Sequence, residues 1–241
     1  MRTVALVAVI LMVGLPCLAD SVSLPFYDGF ETYDVDNSPP EPDPPWDRYY
    51  NANSIVVDTQ AFAGEQSYML RGASGFSDSA AVGVTYPDTF TYQVACRVES
   101  GSAGAGQFQF SGAMVYARNV VWFWADDDYI SFESVTGGGQ VIVSDCDLDT
   151  WYFASVTISG FLGSSATADV IVYDDQFNVL GSEYGLVADT VAVAEQQQFV
   201  LHTRSAVATT AYFDNVAVIP EPAILLVLVT GGAIAILGRR R

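Results

Sequence analysis

The chain has 241 residues, of which 28 are acidic and nine are basic, and its formal net charge is −19. Hydrophobic residues make up 51% of it, including 14 Phe, 13 Tyr and 4 Trp, which excludes a disordered acidic polymer because such a chain lacks the apolar surface that offsets chain entropy. Lysine is absent, which excludes a phosphate-loop ATPase, and the negative charge argues against nucleic acid as a partner.

The first 19 residues have the three parts of an export signal. Arg2 supplies a positive charge, residues 4–13 form a short apolar run, and the small residues Cys17 and Ala19 precede Asp20. This order predicts a secretory signal peptide over residues 1–19, cleaved after Ala19. A permanent N-terminal anchor is the alternative.

The region from 20 to 219 has a periodicity of two, which is typical of β-strands. Apolar residues alternate with polar ones in the segment from Phe90 to Val98, and Gly- and Asp-rich turns separate it from further candidates. Many short strands at this spacing predict an all-β domain, a two-sheet antiparallel β-sandwich of the jelly-roll kind. The other predicted strands include residues 120–124, 129–133, 140–143, 151–158, 166–173, 198–203 and 210–218.

Trp122 and Trp124 are two positions apart in a predicted strand and therefore share one face of it. Two roles are open for this pair. The rings could pack in the core of the sandwich, or they could stack on the sugar rings of a glycan.

Asp145, Asp147 and Asp149 alternate in a predicted turn, and carboxylates at this spacing are potential oxygen ligands for calcium. The full calcium-hand pattern fails, because Thr150 takes the place of its glycine and Val156 that of its last glutamate. The alternative is a solvated acidic turn. Calcium is thus the one cofactor that the sequence suggests.

Two cysteines remain after removal of the signal peptide, and an exported protein can form a disulfide between Cys96 and Cys146. Cys96 lies on an apolar strand face and Cys146 in an acidic loop, so both the paired and the free state remain open. His202 is the chain's only histidine, and we expect it to face solvent or a loop without a catalytic role.

The C-terminal 22 residues contain three features in order. Pro220, Glu221 and Pro222 come first, residues 223–237 follow without a charge, and the chain closes on Arg239, Arg240 and Arg241. The uncharged segment would form a helix of about 22 Å, a short transmembrane span. The arginines would stay on the cytoplasmic side, which leaves the domain outside.

This C-terminal arrangement resembles the PEP-CTERM sorting signal of Gram-negative bacteria. The resemblance implies recognition by an exosortase, a membrane protease-transpeptidase, and at least a transient stay in the membrane. It also implies a protein that is exported to the cell surface or the extracellular matrix, in an exopolysaccharide or biofilm context.

The domain itself is similar to concanavalin-A-like and laminin-G-like jelly rolls. The resemblance rests on three short motifs, FYDGFE at residues 26–31, DTWY at 149–152 and YFDNV at 212–216. It implies that the first and last strands lie side by side, which would bring Phe30 near Phe213.

These observations together predict a non-catalytic protein, structural or glycan-binding, with extracellular polysaccharide as its partner. A polysaccharide-active hydrolase or lyase is the alternative. The nearest match to the carboxylate motif of jelly-roll glucanases begins at Glu41 and ends at Trp46 where that motif requires a glutamate, which argues against a hydrolase.

Overall fold

The computed structural model of the chain describes residues 22–35, 46–49, 55–72, 78–102, 105–110, 119–124, 128–191, 198–204 and 209–221. The described residues form β-strands joined by turns and loops, without a helix among them. The strands are β1 (Phe26–Asp28), β2 (Asp47–Tyr49), β3 (Ile55–Val57), β4 (Ser67–Gly72), β5 (Asp78–Gly83), β6 (Thr89–Val98), β7 (Ala105–Phe110), β8 (Val120–Trp124), β9 (Tyr129–Ser134), β10 (Gly138–Ser144), β11 (Tyr152–Ser159), β12 (Ala166–Tyr173), β13 (Val179–Ala188), β14 (Gln198–Arg204) and β15 (Thr209–Pro220).

The strands form two sheets. Sheet I has the order β13-β12-β11-β6-β15-β4-β3, with β1 also paired to β15, and sheet II has the order β10-β9-β8-β7-β14-β5-β2. The named strands pair antiparallel throughout. The predicted two-sheet antiparallel β-sandwich is therefore confirmed, and it has the jelly-roll type of connection, in which consecutive strands cross between sheets.

One hydrophobic core fills the space between the sheets. Strand β6 contributes every second residue to it from Phe90 to Val98, as the alternation predicts, and β11 and β12 alternate in the same way. Sheet II contributes Val121, Phe123 and Phe132 from the opposite side. Each buried large apolar side chain stabilises the fold by about 2 kcal/mol relative to an exposed one.

Strand β13 was missed by the sequence analysis. Its side chains are mostly exposed or half-buried and do not alternate, because it is an edge strand of sheet I with little contact to the core. By contrast, β8 and β12 have the predicted bounds, and the other predicted strands shift by one or two residues at their ends.

The first and last strands are neighbours, as the resemblance to jelly rolls implied, because Phe26, Tyr27 and Asp28 pair with β15. The carboxylate of Asp28 accepts hydrogen bonds from the Trp46 indole and the Tyr33 hydroxyl, both at 2.7 Å. These bonds attach the first loop to the core.

Glu31 fastens a second loop to the same corner. Its Oε1 atom accepts hydrogen bonds from the backbone N–H groups of Glu65 and Gln66, both at 3.0 Å. Gly64 has a φ of +78°, and a Cβ at this position would collide with the Glu31 carboxylate. A glycine is therefore required for this close approach.

Strand β15 continues to Pro220, the first residue of the predicted sorting tail, and the Glu221 N–H donates to the Thr89 carbonyl. The signal peptide (1–19), the predicted transmembrane segment (223–237), Pro222 and the three terminal arginines all lie outside the described residues. Within the ranges given above, no helix has the length and apolarity to cross a membrane.

Candidate functional site

A single register row crosses sheet II and contains the chain's only histidine. His202 on β14 is paired with Ser79 on β5 and with Gln107 on β7. Residues paired in this way have Cα atoms about 5 Å apart, so the row is continuous. In spatial order it consists of Tyr49, Ser79, His202, Gln107, Trp122 and Ser131.

His202 lies on the outer face of sheet II, the side turned away from the core. Its neighbours on β14, Phe199 and Leu201, belong to the core, and strand alternation directs His202 the other way. The imidazole is nevertheless only 8% exposed. The prediction that His202 faces solvent or a loop is wrong, because it lies in the middle of a strand that has neighbours on both sides.

Trp122 and Trp124 lie on the same outer face. Their rings stack on each other, with centroids 4.9 Å apart and planes 21° apart, and they form a cluster with Val120 separate from the main core. Trp122 is only 3% exposed and Trp124 is half-buried. The two rings thus pack on each other outside the core of the sandwich. Trp124 is the ring that is more exposed to solvent.

Trp124 also reaches a pocket at one end of the sandwich. Its indole donates a hydrogen bond to the Ser131 hydroxyl at 3.3 Å, and its ring lies 5.9 Å from that of Tyr129. Both rings line the pocket, together with Cys146 and Tyr152 from the facing elements. The pocket therefore adjoins the end of the His202 row through the bond between Trp124 and Ser131, although no residue of the row lines it.

Cys146 and Cys96 are both buried free thiols in the structure, so of the two states that the sequence left open, the structure has the free one. Burial raises the pKa of Cys146 to about 12, and it raises the pKa of Cys96 well above its usual value. Both sulfurs are protonated at neutral pH, which makes them poor nucleophiles.

The three aspartates predicted to bind calcium do not converge. Asp149 instead accepts a hydrogen bond from Arg97 at 2.8 Å and one from the Ser100 N–H at 3.1 Å, whereas Asp145 and Asp147 are exposed. The Ser100 hydrogen bonds lower the pKa of Asp149, and Arg97 adds to this effect. In the part of the chain described here, no three His, Cys, Asp or Glu side chains are grouped as metal ligands.

The His202 row was missed by sequence reasoning, although a partial signal existed. A lone histidine between apolar residues of a strand is a candidate for the face opposite the core. Nothing in the sequence, however, indicates that β14 lies between β5 and β7, and this pairing assembles the row.

Comparisons with known proteins agree on the fold. No family model matches the chain, and no curated protein matches it. Among solved structures, a glucuronan lyase from the fungus Trichoderma reesei is similar, with a TM-score of 0.55 at 13% identity over 82% of this chain and 96% of that one. An alginate lyase in complex with an alginate trisaccharide has a TM-score of 0.51 at 11% identity, covering 82% of this chain and 99% of that one.

A third similar structure is a cellulose-induced protein, with a TM-score of 0.50 at 11% identity, covering 80% of this chain and 96% of that one. The prediction of a non-catalytic protein is contradicted by these comparisons, because polysaccharide lyases have this fold. The absent glucanase motif does not bear on a lyase, since elimination needs no pair of hydrolytic carboxylates.

Proposed function

We propose that the protein is an exported polysaccharide lyase that binds a uronic-acid polymer on the outer face of sheet II. The observation that carries the proposal is the His202 row, which sets the chain's only histidine in register with polar and aromatic positions and in which His202, Trp122 and Ser131 are buried. The likeness to glucuronan and alginate lyases over most of the chain supports the same function.

Elimination requires two proton transfers and the cleavage of one C–O bond. A base removes the proton from C5 of the uronate, beside its carboxylate, and the C5–H electrons form the C4=C5 double bond. The bond from C4 to the glycosidic oxygen breaks, and that oxygen takes up a proton. No water or oxidant is consumed.

His202 is the residue that we assign to remove the C5 proton. Imidazole has a pKa near neutrality, which suits a group that both accepts and releases protons. Its 8% exposure keeps bulk water away from the proton that it accepts.

In the register of sheet II, Gln107 on β7 is paired with His202, and β14 ends two positions beyond His202, at Arg204. Hydrogen-bond donors near the uronate carboxylate stabilise the negative charge that develops on it during proton removal. This local contribution is needed because a protein with a net charge of −19 repels a polyuronate at long range. Moderate salt should therefore raise the activity by screening this repulsion.

The full chain, expressed with its export signal and purified, provides the test on alginate and glucuronan. We expect new ultraviolet absorbance from unsaturated uronate ends, and we expect His202→Gln to lower the initial rate by about a hundredfold. Exposed Thr167 on sheet I offers a matched control, since Thr167→Ala removes a polar strand residue far from the His202 row.

Circular dichroism of each variant separates loss of activity from loss of fold. If the folded wild type forms no unsaturated ends on either polymer, the lyase proposal is overturned. If His202→Gln is as active as the wild type, the function survives but the role of His202 does not.

We also propose that residues 1–19 direct export and that the tail beginning at Pro220 is processed by an exosortase, with the protein reaching the cell surface or matrix. The order of tail features supports this. Cells with and without the sorting protease should differ in the mass and location of the protein. Identical mass and location would contradict processing.

A further inference from the structure

A second aromatic surface lies on the other side of the molecule, on the outer face of sheet I. We call it the aromatic patch, and it consists of Phe62, Trp151, Phe153, Tyr173 and Phe177. The rings of Phe62 and Phe153 are stacked 5.9 Å apart, and Phe177 contacts both edge-on. Trp151 contacts Phe62 from another side, at 5.9 Å.

Phe177 is the most exposed ring of the patch, at 58%. It has a φ of +63°, a strained conformation for a side chain of this size, in a turn that Asp174 holds through hydrogen bonds from the backbone N–H groups of Gln176 and Asn178. The turn keeps an apolar ring in water, where apolar surface is costly unless something covers it.

The backbone of Phe62 is held by a buried carboxylate. Its backbone N–H donates a hydrogen bond at 2.9 Å to the buried carboxylate of Asp214, which also holds Ala63 at 3.0 Å. These bonds hold the backbone of Phe62, and its ring packs on Phe153 and Trp151, so binding to the ring costs little conformational entropy.

Polar rows continue from the aromatic patch along the same face. Gln93 donates to the Ser155 hydroxyl at 3.1 Å, and the next row holds Thr91 and Thr157, whose hydroxyls are 2.7 Å apart. The row of Ser155 continues through Ile171 to Ser182 without a charged residue. The row of Thr157 continues to the exposed Asp169, and the Thr91 hydroxyl donates to the Glu221 carboxylate at 3.3 Å. These strands thus present stacking rings beside hydroxyl, amide and carboxylate groups, which can bond to sugar hydroxyls and repel an acidic polymer.

We propose that this face binds an uncharged polysaccharide chain, which stacks sugar rings on the aromatic patch and hydrogen-bonds to the polar rows. Sugars have apolar C–H faces and a rim of hydroxyls, and the patch and rows offer a partner for each. A second copy of the chain is a poorer fit, because two proteins of net charge −19 repel each other.

The site is independent of the proposed lyase face, which lies on the other sheet. It would hold the enzyme on a neutral matrix while sheet II acts on an acidic polymer.

Affinity gel electrophoresis tests the proposal with the full chain in gels that contain hydroxyethyl cellulose, xylan or dextran. We expect at least one polymer to retard the wild type, and we expect Phe177→Ala to weaken this binding by about tenfold. Phe62→Ala serves as a second variant. Leu162→Ala is the matched control, because Leu162 is an exposed apolar loop residue (53%) at the opposite end of sheet I.

The proposal is supported if a polymer retards the wild type and Leu162→Ala but no longer retards Phe177→Ala. It is overturned if none of the three polymers retards the wild type, or if Phe177→Ala binds as well. Sedimentation measures whether the wild type forms a dimer. If it does, if Phe177→Ala abolishes the dimer, and if no polymer retards the wild type, the proposal is overturned in favour of a second copy of the chain. His202→Gln should bind normally, so failure here and failure of the lyase proposal are distinguishable.

Discussion

The outer faces of the two sheets carry similar residue types but differ in their exposure to solvent. On sheet II, Trp122 and His202 are almost fully buried although they point away from the core. On sheet I, Phe153 and Ser155 are half-buried and Phe177 is open. Strand alternation alone does not predict this difference, because it separates the two sides of a sheet without saying what covers the outer one.

The two proposals assign a different kind of binding to each face. A buried face excludes water, which suits proton transfer. An open face with fixed rings suits adhesion to a long polymer that approaches from one side. The mutations below test whether the two faces differ in solution as they do in the structure.

The largest effect on stability should come from Trp122→Ala. Removing a buried Trp leaves a cavity, and we expect the free energy of unfolding to fall by about 3–5 kcal/mol. Urea denaturation measures the change, with the half-buried Trp124→Ala as the comparison, for which we expect a smaller loss. If Trp122→Ala costs no more than Phe177→Ala, the two faces are equally open and the comparison fails.

The next effect concerns Asp214, which lies beneath the aromatic patch. Burial raises the pKa of its carboxyl to about 6, and Glu31 adds to the rise, although N–H donors such as those of Ala63 and Asn215 oppose it. The folded state then binds the proton more tightly than the unfolded state. The unfolding free energy should therefore fall as pH rises from about 4 to about 6.

The share of Asp214 in this fall is about 3 kcal/mol, at 1.36 kcal/mol per unit of pKa. Asp214→Asn should remove this contribution. Urea denaturation across this pH range measures it, as a difference between variant and wild type in how steeply the unfolding free energy falls with pH. Identical slopes would mean that Asp214 titrates normally and that Phe62 is not held over a desolvated carboxylate.

A smaller effect is expected at Asp149, in the turn that precedes β11. Its carboxylate pairs with the buried Arg97, whose guanidinium lies 5.3 Å from the Tyr212 ring centroid. Because the Asp149 side chain is 41% exposed, we expect Asp149→Asn to cost about 1 kcal/mol at pH 7.

This contribution should be present at neutral pH and lost as pH falls through the lowered pKa of Asp149, the reverse of the trend at Asp214. A cost that stays the same at low pH would show that packing, and not the charge, is responsible.

The smallest effect should be that of Phe177→Ala on stability, within about 0.5 kcal/mol, as for other exposed side chains. Thermal denaturation beside the Leu162→Ala control is sufficient to measure it. A large loss would show that the ring stabilises the fold, and its loss of polymer binding could then not be assigned to stacking.

Much of the fold was predictable from particular residues. The alternation from Phe90 to Val98 predicts β6 and its buried face, and residues 166–173 predict β12 with the observed bounds. Both strands have one face on the core, which imposes the period of two. Strand β13 carries no such pattern because it lies at an edge.

The candidate sites were less predictable. Trp122 and Trp124 were identified as sharing a face, which the structure confirms, but Trp122 was open to two roles because burial of an outer face depends on distant parts of the chain. Asp149 was grouped with two other aspartates, whereas its actual partner is Arg97, 52 residues away.

The sequence by itself determined that this chain folds as an antiparallel sandwich, because burying apolar side chains on a pleated strand requires alternation along the chain, and alternation is a local property. The order of strands within each sheet was decided only in three dimensions. That order placed His202 between Ser79 and Gln107 and brought Phe62 onto Phe153, since contacts across strands depend on pairing and register, and residues far apart in the chain supply them.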